Sequence, residues 1–290
     1  MPEELTRRAA AIAAGDTSWQ IPEARPAATV VLLRNTEAGL STYLMRRTST
    51  MAFAAGMHVF PGGRIDAADF DSSVDVRGDI NAARMTADER LGRALIIGAV
   101  REVFEETGVL LAVDEDGRWP DIDDQWDADR RVIEQSSATM GGVLARRGLH
   151  IDTAHLPLWS HWITPEVEER RYDVRFFAAV VPDNHIVRDV SGEADHVRWV
   201  TPVEGLEEFS RGQMAMLPPT VATLRELNAV ATAENLSIHA ADRTVQPLMP
   251  RARLAADSTL VWEVINASSD EVVWSMSDAP AGSESRGIHS

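Results

Sequence analysis

No cysteine occurs in the 290 residues, which excludes a disulfide scaffold, a thiolate zinc site and a cysteine nucleophile. The same absence fits a reducing compartment. Positive charge is also scarce, with 28 Lys and Arg against 45 Asp and Glu for a net charge of −17. Nucleic acid and anionic membranes both need basic patches, so general affinity for either is not expected. A small anionic substrate stays open, because a few arginines and metal ions can handle it locally. Long apolar runs are missing too. The alanine-rich stretch after Arg7 and Arg8 breaks at Gly15-Asp16, too short for a signal peptide or a membrane helix, and Ile288-His289-Ser290 is no peroxisomal address. A cytoplasmic protein is expected. What remains is ordinary for a globular chain: 44% hydrophobic residues suffice for a core and 25% are charged.

The chain opens with a short helix and a Pro-punctuated lead-in to Pro26. Ala28–Arg34 and Ser41–Arg46 read as strands around a turn at 35–39. Met57–Phe60 follows, closed by Pro61-Gly62-Gly63. Residues 66–90 are acidic and without period, an inserted loop with one helical turn. Ala87–Thr107 reads as a helix stopped by Gly108. Further on, Val109–Val113 reads as a strand, Asp127–Arg147 as one helix, and Leu158–Ile163, Tyr172–Val181 and His196–Val200 as strands. Helices are expected after Thr201-Pro202 and from Pro218 to about Glu234. Leu260–Ile265 and Glu271–Met276 could add a hairpin, and 277–290 is Ser/Gly-rich. Strands and helices mix without strict alternation, which suggests α/β/α layers around a mixed sheet.

The most informative spacing is Arg101-Glu102-Val103-Phe104-Glu105-Glu106-Thr107-Gly108-Val109. On a helix, positions i, i+3 and i+4 share a face, so Glu102, Glu105 and Glu106 project together, away from a stripe of Ile96, Val100, Val103, Phe104 and Thr107. Three like charges repel unless a cation sits among them, and a hard divalent cation with oxygen ligands suits. The plainer alternative is a solvated acidic face, with Arg101 and Glu105 as an i,i+4 ion pair.

This segment resembles the second half of the Nudix box, R-E-apolar-x-E-E-x-G-apolar, at every fixed position. The box begins with a glycine some fourteen residues before its arginine. Here the Pro61-Gly62-Gly63 turn lies much further upstream, so an insertion over about 66–90 divides the box. Counted back from Arg101, the first box glutamate falls on Arg93, a departure from the family. Gly56–Gly63, Ala99–Leu111, His161–Pro165 and Arg170–Phe177 are similar to the peroxisomal coenzyme A diphosphatase branch, over roughly residues 28–230.

The resemblance implies a Nudix α/β/α sandwich over 25–235, with a C-terminal extension at 236–290 that is partly disordered. It implies hydrolysis of a diphosphate bond in a nucleoside diphosphate derivative, coenzyme A or an acyl form first. ADP-ribose, NADH or a dinucleotide is the runner-up, and a non-catalytic ligand-binding module is the rival of another class. Mg²⁺ or Mn²⁺ would be the cofactor and a homodimer the assembly by analogy. By position, Glu105 and Glu106 resemble the metal ligands, Glu102 a ligand or base, and Arg101 the residue that orients a glutamate. Glu193 resembles the extra carboxylate supplied from outside the box, with Glu166, Glu168 and Glu169 as rivals. Arg47, Gly62, Gly63 and Arg171 are the substrate-binding candidates. A wider coenzyme A pattern fits at Arg47, Gly56 and Phe60–Gly63, but Ala52 stands where it has a second arginine. For His58, Trp159 and Trp162, packing in the core is the reading preferred over ligand contact.

Overall fold

The computed structural model describes residues 3–49, 54–79, 85–181, 185–188, 194–257 and 259–275. The apolar runs Val30–Leu33 and Leu40–Met45 lie inside two long strands, β1 (Arg25–Thr36) and β2 (Gly39–Arg47), paired antiparallel across a tight turn. After β3 (His58–Val59), β4 (Gly62–Arg64) returns along the start of β1, with Gly63 opposite Ala28. The other edge of β1 pairs in parallel with β8 (Tyr172–Val180). The sheet runs β12-β11-β10-β7-β8-β1-β2-β3, with β7 at Leu158–Ile163, β10 at Pro247–Leu254, β11 at Leu260–Asn266 and β12 at Val272–Ser275. The strand β9 (Ala194–Val200) also pairs with β2. A two-strand parallel pair, β5 (Val76–Arg77) with β6 (Ile151–Asp152), stands apart.

Helices cover both faces. An opening helix, α1 (Glu3–Ala13), packs near β10. On one face α2 (Glu89–Thr107) lies over β1 and β4, joined by α3 (Trp126–Glu134) and α4 (Met140–Arg147). On the other lie α5 (Pro202–Ser210), α6 (Pro218–Leu227) and α7 (Leu236–Ala241). This is an α/β/α arrangement around a mixed sheet, as the sequence suggested.

Several local expectations need correction. Val109–Val113 is buried but forms no strand; its ladder is a single bridge from Val113 to His150. Val109–Ala112 lies in the core cluster that includes Trp126, whose indole N–H donates to Gly108 O at 2.8 Å. The helix expected over 127–147 is two, broken where Ser136 takes φ +53° and Thr139 caps the second. The helix from Pro218 stops at Leu227 rather than Glu234. The expected hairpin is present as β11 and β12, and a strand the sequence reading did not include, β10, joins it to β7.

Candidate active site

The acidic turn of α2 is set by two caps. Asp88 accepts the N–H groups of Arg90 and Leu91, and Gly108 ends the helix at φ +74°, a conformation glycine adopts without strain. Ile96, Val100, Val103, Phe104 and Thr107 are all buried against the sheet. That fixes the rotation of the helix and turns its acidic side toward the Pro61-Gly62-Gly63 turn.

The turn and helix are fitted to each other. The Gly62 N–H donates to Glu106 Oε2 at 2.8 Å. A Cβ on Gly63 would lie 2.4 Å from Glu102 Oε1, and one on Gly62, at φ +152°, would lie 2.3 Å from Ala28 O. Both positions therefore need glycine, one for the carboxylate's approach and one for the backbone's. Arg101 links the acids: its Nη1 is 2.9 Å from Glu102 Oε1 and 3.2 Å from Glu105 Oε2. Its other donors go elsewhere, Nε and Nη2 to the two oxygens of Asp69 at 2.8 and 2.9 Å, and Nη2 also to Arg64 O at 2.9 Å.

The solvated-face alternative for this turn does not hold. Glu102 and Glu105 are 14% and 17% exposed, and Glu106 is buried. Burial pushes the Glu102 carboxyl up to about 7, with Glu105 adding repulsion and Arg101 opposing. Glu105 is also raised, again by burial first and against the pull of Arg101. Buried acids held above their usual range, all with oxygen donors, are a donor set suited to a hard divalent cation. Among the described residues, however, no group of three His, Asp or Glu side chains is gathered closely enough to hold a metal ion. As it stands Arg101 draws in Glu102 and Glu105, while Glu106 faces Gly62.

The other candidates divide. Glu193 and Ala52 lie outside the described residues. Arg47 ends β2, whose neighbour Arg46 pairs with His58 of β3. Arg171 does not come to the glycine turn: Nε donates to Thr164 O at 3.0 Å and Nη1 to Pro22 O at 2.9 Å, which ties the lead-in to the β7–β8 loop. On that loop, Glu169 pairs with Arg8 at 3.1 Å, and Glu168 is raised by burial. Trp159 and Trp162 are core residues of the face opposite α2. His58 is buried, its Nδ1 3.4 Å from Ala215 O, and burial lowers its pKa.

One residue of the site escaped the sequence reading. Asp69, 1% exposed, sits in the inserted segment and carries the main ion pair to Arg101. The signal was available by counting forward. The first acidic position of the box, six residues after its glycine, falls on Asp69 when counted from Gly63, and the insertion then follows it. Counting back from Arg101 gave Arg93 instead, whose Nη2 donates to Val74 O at 2.8 Å, away from the acidic turn.

Comparison with known proteins bears on this site. The family described as the NUDT19 Nudix domain matches residues 90–227. The chain is similar to a Xenopus laevis protein named acyl-coenzyme A diphosphatase NUDT19, 24% identical over 276 residues, covering 81% of this chain and 72% of that one. It is also similar to a Caenorhabditis elegans protein named putative nudix hydrolase 7, 26% identical over 216 residues, covering 74% of this chain and 62% of that one. Among solved structures, a NUDIX hydrolase from Alicyclobacillus acidocaldarius superposes with a TM-score of 0.65 at 27% identity, covering 76% of this chain and 97% of that one.

Proposed function

We propose that the chain is a Nudix hydrolase of the coenzyme A diphosphatase branch, and that it cleaves the diphosphate bond of coenzyme A or an acyl-coenzyme A with Mg²⁺ or Mn²⁺. The observation that carries this reading is the buried acidic turn of Glu102, Glu105 and Glu106, clasped to a Pro-Gly-Gly turn whose glycines admit the Glu102 carboxylate and the Ala28 backbone. Glu105 and Glu106, with Glu102 and Glu193 as further candidates, would hold the metal. When bound, the metal neutralises diphosphate charge and makes a bound water more acidic.

The chain's own groups account for the remaining work. Water attacks one phosphorus, a new P–O bond forms there, and the bond from that phosphorus to the bridging oxygen breaks. The leaving phosphate keeps the bridging oxygen. Glu102, whose Oε1 lies 2.9 Å from Arg101 Nη1, would take the water's proton where it does not itself hold the metal. Arg101 holds Glu102 and Glu105 from one nitrogen, which fixes their oxygens relative to each other. Arg47 and the Gly62-Gly63 backbone would contact the substrate. The enzyme is proposed to be cytoplasmic and, by family analogy only, a homodimer. Among the described residues no helix is long and apolar enough to cross a membrane.

Incubation with Mg²⁺ and coenzyme A tests the reading: 3′,5′-ADP and 4′-phosphopantetheine are the expected products. Ala52, standing where the wider coenzyme A pattern has an arginine, favours a second reading in which ADP-ribose, NADH or a dinucleotide is preferred. AMP released from ADP-ribose, with coenzyme A untouched, would select it.

A further inference from the structure

We propose that Arg34 and Trp199 form an oxyanion-binding subsite on the sheet face that carries the acidic turn, taking a carboxylate or phosphate that the substrate bears away from its diphosphate. The inference rests on the coenzyme A reading for the identity of the substrate and on geometry for the site. The Arg34 guanidinium lies over the Trp199 ring, 3.9 Å from its centre. Other arginines among the described residues also stack on tryptophan: Arg8 on Trp19, Arg147 on Trp126 and Arg243 on Trp159. Each of those also holds a carboxylate, Arg8 with Glu4 and Glu169, Arg147 with Asp123 and Asp129, and Arg243 with Glu226. Among the described residues Arg34 holds none, in a chain with 45 Asp and Glu to 28 Lys and Arg. Burial alone shifts its pKa, downward, with no carboxylate acting against it.

The stack fixes which part of the guanidinium is left for a ligand. Tyr43 and Trp199 stand opposite each other on β2 and β9, their ring centres 5.6 Å apart, so the indole is held in place. With one face of the guanidinium on that ring, its N–H edge stays available, and a planar donor edge matches the paired oxygens of a carboxylate or phosphate. Among the described strands β9 pairs only with β2, which puts Trp199 at the margin of the sheet, and Arg34 is exposed. Ala28, Val30 and Leu32 lie in the core beneath α2, and Arg34 continues their row on the same face. Ala28 is opposite Gly63 of the glycine turn, and from it to Arg34 the strand rises about 20 Å. A diphosphate at the acidic turn does not span that distance, whereas the pantetheine arm of coenzyme A leads away from it. A carboxylate that ends the acyl group is therefore the expected oxyanion, and the 3′-phosphate is the other source of the same chemistry.

The test measures binding to the full chain in EDTA, where no metal supports cleavage, by calorimetry on the parent, Arg34→Gln and Trp199→Leu. The probes are S-carboxypropyl-coenzyme A, S-butyl-coenzyme A, coenzyme A and 3′-dephospho-coenzyme A. The first two differ by one terminal carboxylate and the last two by one phosphate. Arg34→Gln is expected to raise the Kd of the S-carboxypropyl probe about 10-fold, the loss of a charge-assisted contact, and to leave the other three within about two-fold of the parent. Trp199→Leu should weaken the same probe by a smaller factor. A loss on every probe except the dephospho form would support the subsite with the 3′-phosphate as its ligand. Parent-like affinity of Arg34→Gln for all four probes, or an equal loss on all four, would overturn the proposal. So would a Trp199→Leu that binds the affected probe as tightly as the parent. If Mg²⁺ releases 3′,5′-ADP from coenzyme A while Arg34→Gln binds every probe as the parent does, the subsite fails and the hydrolase reading stands. If Arg34→Gln discriminates between the probes while no diphosphate is cleaved, the hydrolase reading fails and the subsite stands.

Discussion

Replacing Glu102 by glutamine should make the metal-free protein more stable at alkaline pH while making the enzyme worse. In the folded chain the Glu102 carboxyl sits at about 7 against an ordinary 4.5, because burial penalises the charged form more than Arg101 stabilises it. Its pKa is raised by folding, so its contribution is most favourable below pH 4.5 and is lost as pH climbs through 7. At pH 8 the ionised side chain then costs the fold roughly 3 kcal/mol, and at pH 5 less than about 1 kcal/mol. An uncharged amide of the same shape avoids the cost, and Arg101 keeps Asp69 and Glu105 as partners. At about 2–4 °C per kcal/mol for a chain of this size, the variant should melt on the order of 5–10 °C above the parent at pH 8, and within a few degrees of it at pH 5. The assay is thermal unfolding by circular dichroism in EDTA at both pH values. Turnover should fall by about 10²- to 10⁴-fold, the usual contribution of a general base. Equal melting temperatures at pH 8, or a variant less stable there than at pH 5 relative to the parent, would refute the burial argument.

The remaining expectations are more local. Glu105→Gln should lower kcat by about 10²-fold or more while the circular dichroism spectrum stays that of the parent. Gly62→Ala forces a Cβ within 2.3 Å of the Ala28 carbonyl at an unfavourable φ, and should cost about 1–3 kcal/mol in denaturant unfolding. Gly63→Ala meets the Glu102 carboxylate instead, 2.4 Å away, so it should lower kcat with little loss of stability. Arg171→Ala removes two charge-assisted bonds to backbone carbonyls, and should reduce stability by about 1.5–3 kcal/mol in urea titration.

The catalytic half of the fold was legible because its signals are local. The α2 stripe repeats at the helical period, Asp88 and Gly108 punctuate its ends, and Val30–Leu33 and Tyr43–Met45 are buried apolar runs. Asp69 was obscured because the inserted segment has no period, and its partner is 32 residues away. The strand β10 was hidden by Pro247 and Pro250, which argue against a strand; its parallel contact with β7 is confined to Pro247 and Leu248 opposite His161 and Trp162. Val109–Val113 misled in the opposite sense. Its apolar run reads as a strand, yet its pairing is confined to the bridge from Val113 to His150. Arg171 offered a charge whose use depends on backbone carbonyls at Pro22 and Thr164, a relation no spacing reveals.

The α2 acids are expected to take up a divalent ion and to use it on a diphosphate. The direct measurement is a Mn²⁺ titration of the parent and of Glu105→Gln by isothermal calorimetry, in the presence of a non-hydrolysable coenzyme A analogue. Saturable uptake by the parent, weakened about 10-fold or more in the variant, is the expected result. No uptake by the parent, or identical isotherms for the two proteins, would contradict it.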